Sequence, residues 1–191
     1  MSSLLPVNIT GMWNWAYSWT QRSDCAYDQS YRNYQTRPGD GKICFDCSSF
    51  TFFALWLGGG LDVGALGYST DLSLYQSGRA NAWVVTSMIN KLTGNGWYQY
   101  DPRTEPWQYG DILAKTRTHT EFFYQSPTYT MGAKNTASGI TITDYSRTYY
   151  DVLLRYPGPT PPGPPPPGPS LPIPIWLLKR AIEINKGGVS I

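Results

Sequence analysis

The hydrophobic residues in the first half of the chain recur at helical spacing. One helix is expected around residues 11–22 and another over 78–92, where a Gly-Asn-Gly turn ends it. The clearest helix follows Asp46, a residue type that favours helix N-caps, and three consecutive glycines end it at 58–60. Its apolar face consists of Phe50, Phe53, Ala54 and Leu57.

After residue 96 the hydrophobic period changes to two, which is typical of strands. Five strands are expected, at 112–114, 118–124, 128–133, 140–143 and 149–156. Helices followed by an antiparallel meander predict the α+β class. We therefore expect N-terminal helices packed on an antiparallel sheet of about five strands.

The composition changes abruptly after residue 156, and this change predicts the end of the compact domain. Eleven of the chain's 16 prolines fall within 157–174, which favours a linker in the polyproline II conformation. The remaining segment, 175–191, is too short to bury a core and is expected to form a short helix or tail. The predicted organisation is a domain over 1–156, a proline-rich linker over 157–174, and a tail over 175–191 that docks, mediates oligomerisation or is the stub of a lost module.

Charge and hydropathy exclude two classes of partner. The formal net charge is +2, and lysines and arginines are not clustered along one face of any predicted helix or strand. Nucleic acid is therefore not expected as a partner. No run reaches the roughly 18 apolar residues of a membrane span. The first residues lack the basic region and apolar run of a signal peptide, so synthesis in the cytoplasm is expected.

Cysteine and histidine are scarce, and their number limits the possible chemistry. The chain has three cysteines and one histidine. Cys44-x-x-Cys47 is compatible with a redox or zinc half-site, but only Cys25 and His119 remain as further ligands of these types. Phosphate-binding and dinucleotide-binding glycine motifs are missing. We expect neither a metal nor a cofactor.

A thiol and an imidazole remain as candidates for catalysis. Cys47 falls in the first turn of the helix after Asp46, where the helix dipole and free N–H groups lower a thiol pKa. His119 falls in an alternating strand, in which Glu121 and Phe123 share its face. A helix start packed against such a strand can bring sulfur and imidazole within hydrogen-bond reach, although a histidine on a strand is also compatible with a structural role.

The residues around these two positions are similar to a known family. Phe-Asp-Cys-Ser-Ser-Phe over 45–50 resembles the Asp-Cys-Ser-Gly/Ser motif of the NlpC/P60 superfamily of cysteine peptidases. Tyr-Gly-Asp-Ile-Leu over 109–113 and Thr-His-Thr-Glu-Phe-Phe over 118–123 resemble the family's Gly-Asp strand and His strand. Pro-Trp at 106–107 and Gly-Ile-Thr-Ile-Thr-Asp over 139–144 are closest to the cysteine amidases of phage lysins, a family of bacteriophage peptidoglycan hydrolases.

The resemblance, which covers about residues 30–156, implies a papain-like core and hydrolysis of an amide bond in peptidoglycan. The bond would be N-acetylmuramoyl-L-alanine or one within the stem peptide. Cys47 would be the nucleophile and His119 its base, while Asp46 and Ser48 would help to hold the substrate. The family places a third polar residue, often histidine, on the next strand. Here Gly132 or Ala133 falls at that place, and Asn135 is the substitute candidate, since an amide oxygen can accept from an imidazole N–H.

The resemblance also implies where such an enzyme acts. A phage lysin or virion-associated enzyme would be made in the host cytoplasm and reach the wall through a holin or with the virion. Two alternatives remain open at this stage. One is a non-catalytic wall-binding or structural tail protein that retains the fold; the other is a different thiol enzyme, an acyltransferase or a peptidase acting on proteins.

Overall fold

A computed structural model describes residues 4–125 and 127–158. Within these residues the chain forms four α-helices: α1 Ile9–Thr20, α2 Cys47–Phe53, α3 Leu72–Gln76 and α4 Val85–Gly94. A π-helical turn, Ala54–Gly58, continues α2, and a 3-10 turn spans Arg147–Tyr149. The helix expected after Asp46 is therefore confirmed, with a wider last turn.

The described strands form two sheets. The smaller sheet has the order β1-β3-β2 and contains β1 Cys25–Tyr27, β2 Asn33–Thr36 and β3 Ile43–Phe45. The larger sheet is antiparallel, with the order β4-β9-β5-β6-β7-β8. Its strands are β4 Tyr98–Tyr100, β5 Ile112–Lys115, β6 His119–Gln125, β7 Tyr129–Asn135, β8 Gly139–Asp144 and β9 Val152–Arg155.

The α+β class is confirmed, and three details differ from the sequence prediction. The larger sheet has six strands because β4 joins its edge, and the smaller sheet was not predicted. The strands of the smaller sheet, Cys-Ala-Tyr, Asn-Tyr-Gln-Thr and Ile-Cys-Phe, are short and show no sustained alternation of apolar and polar residues. The helix predicted over 78–92 begins only at Val85, since Gly78 has a φ of +73° just after α3.

The larger sheet separates two hydrophobic clusters. Ile112 and Ala114 of β5 pack into the main cluster with the helices, whereas Leu113 between them joins a smaller cluster on the other face. The same alternation holds in β9, where Leu153 belongs to the smaller cluster. Trp107 is also in this second cluster. Each strand therefore presents alternate residues to two different environments.

The C-terminal end of the described chain remains attached to the core. Tyr156 follows β9, its ring lies 5.4 Å from that of Trp97, and its hydroxyl accepts a hydrogen bond from the Val7 N–H at 3.3 Å. Beyond residues 157 and 158, the predicted linker and the tail over 175–191 lie outside the described residues. In the described part of the chain, no helix is long and apolar enough to cross a membrane.

Candidate functional site

Cys47 is the first residue of α2, and a capping box fixes the helix start there. The Asp46 carboxylate accepts from the Ser49 N–H at 2.7 Å, and the Ser49 hydroxyl lies 3.0 Å from the Asp46 N–H, which donates to it. Reciprocal bonds of this kind satisfy two N–H groups that the helix cannot bond internally. The N-cap predicted at Asp46 is therefore confirmed, and the thiol occupies the first turn.

The start of α2 rests against the start of β6. The Cys47 sulfur lies 3.8 Å from the Thr118 carbonyl oxygen, and the Thr120 N–H also points to it. These two backbone groups lie on either side of His119. Deeper in the core the Phe50 and Phe122 rings, 6.3 Å apart, hold the helix and the strand together.

Burial dominates the acidity of the Cys47 thiol. Loss of hydration raises its pKa to about 12, and the nearby Asp46 carboxylate acts in the same direction. The N–H groups of Thr120 and Ser48 lower the pKa, but by less. The net direction is opposite to the lowering expected from the helix N-terminus, because Cys47 is buried, with only 6% of the residue exposed. At neutral pH the resting thiol is protonated.

His119 lies on the face of the sheet turned away from the helices. Thr120 contacts Met88 of α4 with its hydroxyl, and Phe122 packs on α2, so the residues between them point to the opposite face. There the imidazole lies 6.3 Å from the Tyr145 ring and 6.0 Å from the Tyr149 ring. The alternation expected from the sequence is confirmed at these positions.

The orientation of the imidazole is fixed by Glu121. His119 Nε2 hydrogen-bonds Glu121 Oε1. A carboxylate can only accept, so Nε2 is the donor and Nδ1 is left as the acceptor of the neutral ring. No hydrogen bond joins Cys47 to His119 in the described residues; the sulfur instead contacts the backbone on each side of the histidine.

Glu121 is the centre of a buried polar cluster. Its second oxygen, Oε2, accepts from Lys134 Nζ, from Thr130 Oγ1 and, at 3.0 Å, from the Tyr150 hydroxyl. Burial opposes ionisation of the carboxyl, but the His119 hydrogen bond and the Lys134 charge outweigh it and lower the Glu121 pKa. Burial also lowers the Lys134 pKa, to about 8, against the pull of Glu121.

Asn135, the sequence candidate for the third position, does not reach the imidazole. Its side-chain oxygen accepts from the N–H groups of Ala137 at 3.0 Å and Ser138 at 2.8 Å, in the turn between β7 and β8. This expectation is corrected: the group that holds His119 is Glu121, from the same strand. A Cβ at position 132, which is glycine, would lie 3.2 Å from Glu121 Cγ and would crowd the glutamate.

Asp46 and Ser48 lie beside Cys47, where they bind Arg32. Arg32 Nε lies 2.9 Å from Asp46 Oδ2, an ion pair in which the N–H is not aligned as a hydrogen bond. Arg32 Nη2 donates to the Ser48 hydroxyl at 2.8 Å and to the Trp83 carbonyl at 2.7 Å. The residues proposed to hold substrate thus already have an internal partner, and sequence reasoning missed Arg32 because it lies in a turn before β2.

The cysteines carry no bridge. Cys25, Cys44 and Cys47 are free and buried. Within residues 4–125 and 127–158, no three His, Cys, Asp or Glu side chains are grouped so that they could hold a metal ion. Cys44 points elsewhere than Cys47, with its sulfur 3.5 Å from the Lys42 carbonyl.

No family model matches this chain, and no match is found among curated proteins or solved structures. The resemblance to the NlpC/P60 superfamily therefore depends on the motifs of the sequence alone.

Proposed function

We propose that this chain is a cysteine-dependent peptidoglycan amidohydrolase with a papain-like core similar to that of NlpC/P60 phage lysins. One observation carries the proposal. The sulfur at the start of α2 lies against the backbone on both sides of His119, and Glu121 holds the imidazole so that Nδ1 remains free. This geometry suits a thiol and a base that act on one substrate carbonyl.

The proposed reaction starts from a neutral thiol and a neutral imidazole. His119 Nδ1 takes the thiol proton as the Cys47 sulfur attacks the amide carbonyl carbon. The C–N bond then breaks, and the imidazolium returns its proton to the leaving amine. Water, deprotonated by His119, hydrolyses the thioester and restores the thiol. N–H groups at the start of α2 would stabilise the oxyanion.

The surroundings of His119 fit a glycopeptide substrate. Tyr145 and Tyr149 are half-buried, their ring centroids are 4.8 Å apart, and both lie near the imidazole. Aromatic faces next to a reactive centre offer contact area to a sugar ring or to an apolar peptide edge. In this proposal the enzyme serves a phage, as a lysin or virion-associated enzyme that reaches the wall through a holin or with the virion.

The test is the product of digestion. Purified protein is incubated with bacterial peptidoglycan, and the released fragments are analysed by mass spectrometry, with Cys47→Ala as the control. A free muramoyl lactyl group with a stem peptide beginning at L-alanine would identify an amidase, and a cut inside the peptide an endopeptidase. Intact peptidoglycan, with the wild type equal to Cys47→Ala, would refute the proposal.

A non-catalytic wall-binding or structural tail protein is the second candidate. It is favoured by the lack of a hydrogen bond between Cys47 and His119 and by the raised thiol pKa of about 12. Sedimentation with walls separates the two candidates. A binder pellets with the walls without clearing their turbidity, whereas the enzyme clears them and releases soluble fragments.

A further inference from the structure

Lys134 is buried beside the candidate site. Its side chain is 1% exposed. The ammonium contacts Glu121 Oε2, and it also donates to the Thr130 hydroxyl at 2.8 Å and the Thr130 carbonyl at 3.3 Å. An ammonium that has lost its hydration stays charged in a protein only when it is paired and hydrogen-bonded. The partners of Lys134 therefore stabilise its charged form.

One carboxylate joins this lysine to the histidine. Glu121 Oε1 accepts from His119, while Oε2 accepts from Lys134. A carboxylate held at both oxygens has no freedom to rotate away from the imidazole. The ammonium also cancels part of the negative charge that the imidazole experiences. Lys134 thus acts on His119 in two ways without touching it.

We propose that Lys134 is a positioning residue, whose buried ammonium fixes the Glu121 carboxylate against His119 and sets the pH range in which the imidazole can accept the Cys47 proton. This inference rests on the proposed function, because it assigns Lys134 a part in the same site. In the described residues the Lys134 ammonium bonds Glu121 and Thr130, and no hydrogen bond joins it to the Cys47 thiol.

Several other titratable groups face this cluster, and the charge of each acts on Glu121 and His119. Lys115 of β5 lies with its Nζ 4.6 Å from the centre of the Tyr149 ring, and Lys134 lies 4.9 Å from that of Tyr145. Lys134 is the one lysine whose ammonium bonds Glu121 in the described residues. Among the described residues, the titratable groups around Glu121 and His119 include Cys47, Lys115, Lys134, Tyr145, Tyr149 and Tyr150.

The direction of the effect follows from the charges. With Lys134 replaced by a neutral residue, the full negative charge of Glu121 acts on the imidazole and stabilises its protonated form. The imidazole then stays protonated to a higher pH, and an imidazolium cannot take the thiol proton. Loss of Lys134 should therefore move the acidic limb of activity to higher pH.

The single histidine makes this measurable without substrate. The imidazole C–H resonances of wild type, Lys134→Met and Lys91→Met are followed by NMR as pH is varied. Lys91 is a matched control, since it is an exposed lysine of α4 whose ammonium bonds the Leu66 carbonyl. We expect the titration midpoint to rise by about one pH unit in Lys134→Met and to stay in place in Lys91→Met. Equal midpoints in all three proteins would overturn the inference.

A second variant covers the case in which Lys134→Met does not fold. In Glu121→Gln/Lys134→Met neither charge is left buried without a partner, so folding is retained more readily. Because Glu121 is nearer the imidazole than Lys134, its loss dominates, and the midpoint should fall below that of wild type. A midpoint equal to that of wild type would count against the inference.

Wall digestion across the pH range then separates this inference from the proposed function. If Lys134→Met shifts both the imidazole midpoint and the acidic limb of hydrolysis upward by the same amount, both stand. An upward imidazole shift in a protein that hydrolyses no peptidoglycan at any pH supports the role of Lys134 and refutes the proposed function. Hydrolysis with no imidazole shift refutes the role of Lys134 alone.

Discussion

Two opposing effects meet at the Cys47 sulfur. The start of α2 and the Thr120 N–H favour a thiolate, while burial favours the neutral thiol and prevails. Under the proposed function, a thiol in this state needs a base that removes its proton during attack. The sulfur is therefore expected to be inert towards small reagents at neutral pH unless His119 assists.

Replacing Cys47 tests this residue directly. Cys47→Ala should abolish release of peptidoglycan fragments and lower the free energy of unfolding by about 1 kcal/mol, since one buried sulfur is lost. Cys44→Ala and Cys25→Ala, which remove the other free thiols, should keep activity. Fragment release by mass spectrometry and denaturation by urea measure both effects. If Cys44→Ala were as inactive as Cys47→Ala, a metal or redox site of the two cysteines would be the better account.

Gly132 provides a test of Glu121 that leaves every charge in place. A Cβ at this position would lie 3.2 Å from Glu121 Cγ and 3.5 Å from its Cβ, so the glutamate must shift by a few tenths of an ångström. Because His119 is oriented by that carboxylate, we expect Gly132→Ala to reduce hydrolysis roughly tenfold. Circular dichroism should show a folded protein, and unchanged hydrolysis would mean that the orientation of Glu121 does not matter.

The sequence contained part of the information about these residues. The N-cap at Asp46 followed from a local pattern, and Cys47 and His119 were candidates because thiols and imidazoles are scarce and because of the family resemblance. The structure places the Cys47 sulfur against the backbone beside His119, at the start of β6. Glu121 could have been recognised, because it shares a face with His119 and because Gly132 stands where a polar residue was expected. Arg32 could not, since its contacts with Asp46 and Ser48 depend on tertiary folding.

The N-cap of α2 connects the site to helix stability at the scale of elements. Asp46 caps the helix and also balances the Arg32 charge. Its structural contacts and the substrate role implied by the family resemblance compete as explanations of the same residue.

Two substitutions at Asp46 separate these roles. Asp46→Ala removes the cap and leaves Arg32 without its carboxylate, so the free energy of unfolding should fall by about 2 kcal/mol. Asp46→Asn retains an oxygen for the Ser49 N–H and should lose about half as much. Chemical denaturation measures both. A stable Asp46→Ala protein that no longer binds muropeptides would instead favour the substrate role.

Element prediction succeeded where the hydrophobic pattern was long and failed where it was short. β6, β7 and β8 have six or seven residues each, enough for alternating residues to reveal their period, and α2 has both a cap and an apolar face. The smaller sheet has strands of three or four residues, and its pairing of β1 with β3 is parallel. No local pattern specifies such a contact between segments so far apart in sequence.

At the scale of the whole molecule, the last described strand, β9, is an internal strand of the larger sheet. β9 lies between β4 and β5, and Tyr156 just after it packs on Trp97. The compact part of the chain therefore includes residue 156, where the sequence analysis placed the domain boundary.

A protein that ends at Gly158 tests the role of the remaining chain. It keeps β9 and Tyr156, so its melting temperature should lie within about 2 °C of the full-length value. Soluble muropeptides should be cleaved at the same rate. If the chain acts as proposed and the tail tethers it to the wall, intact walls should be cleaved more slowly, because tethering raises the effective concentration at the substrate. Equal cleavage of both substrates would show that the tail has no targeting role, and unfolding would place the boundary further along the chain.

The sheet that separates the two hydrophobic clusters also separates the two candidate reactive groups. Cys47 lies on the helix side of the sheet and His119 on the other side, and they meet at the start of β6. Mutations that resize one cluster can therefore displace one reactive group relative to the other while both clusters stay well packed. Loss of catalysis would then leave no mark on solubility or yield. A lineage could drift from enzyme to binding protein through ordinary core substitutions, with the cysteine and histidine both still in place.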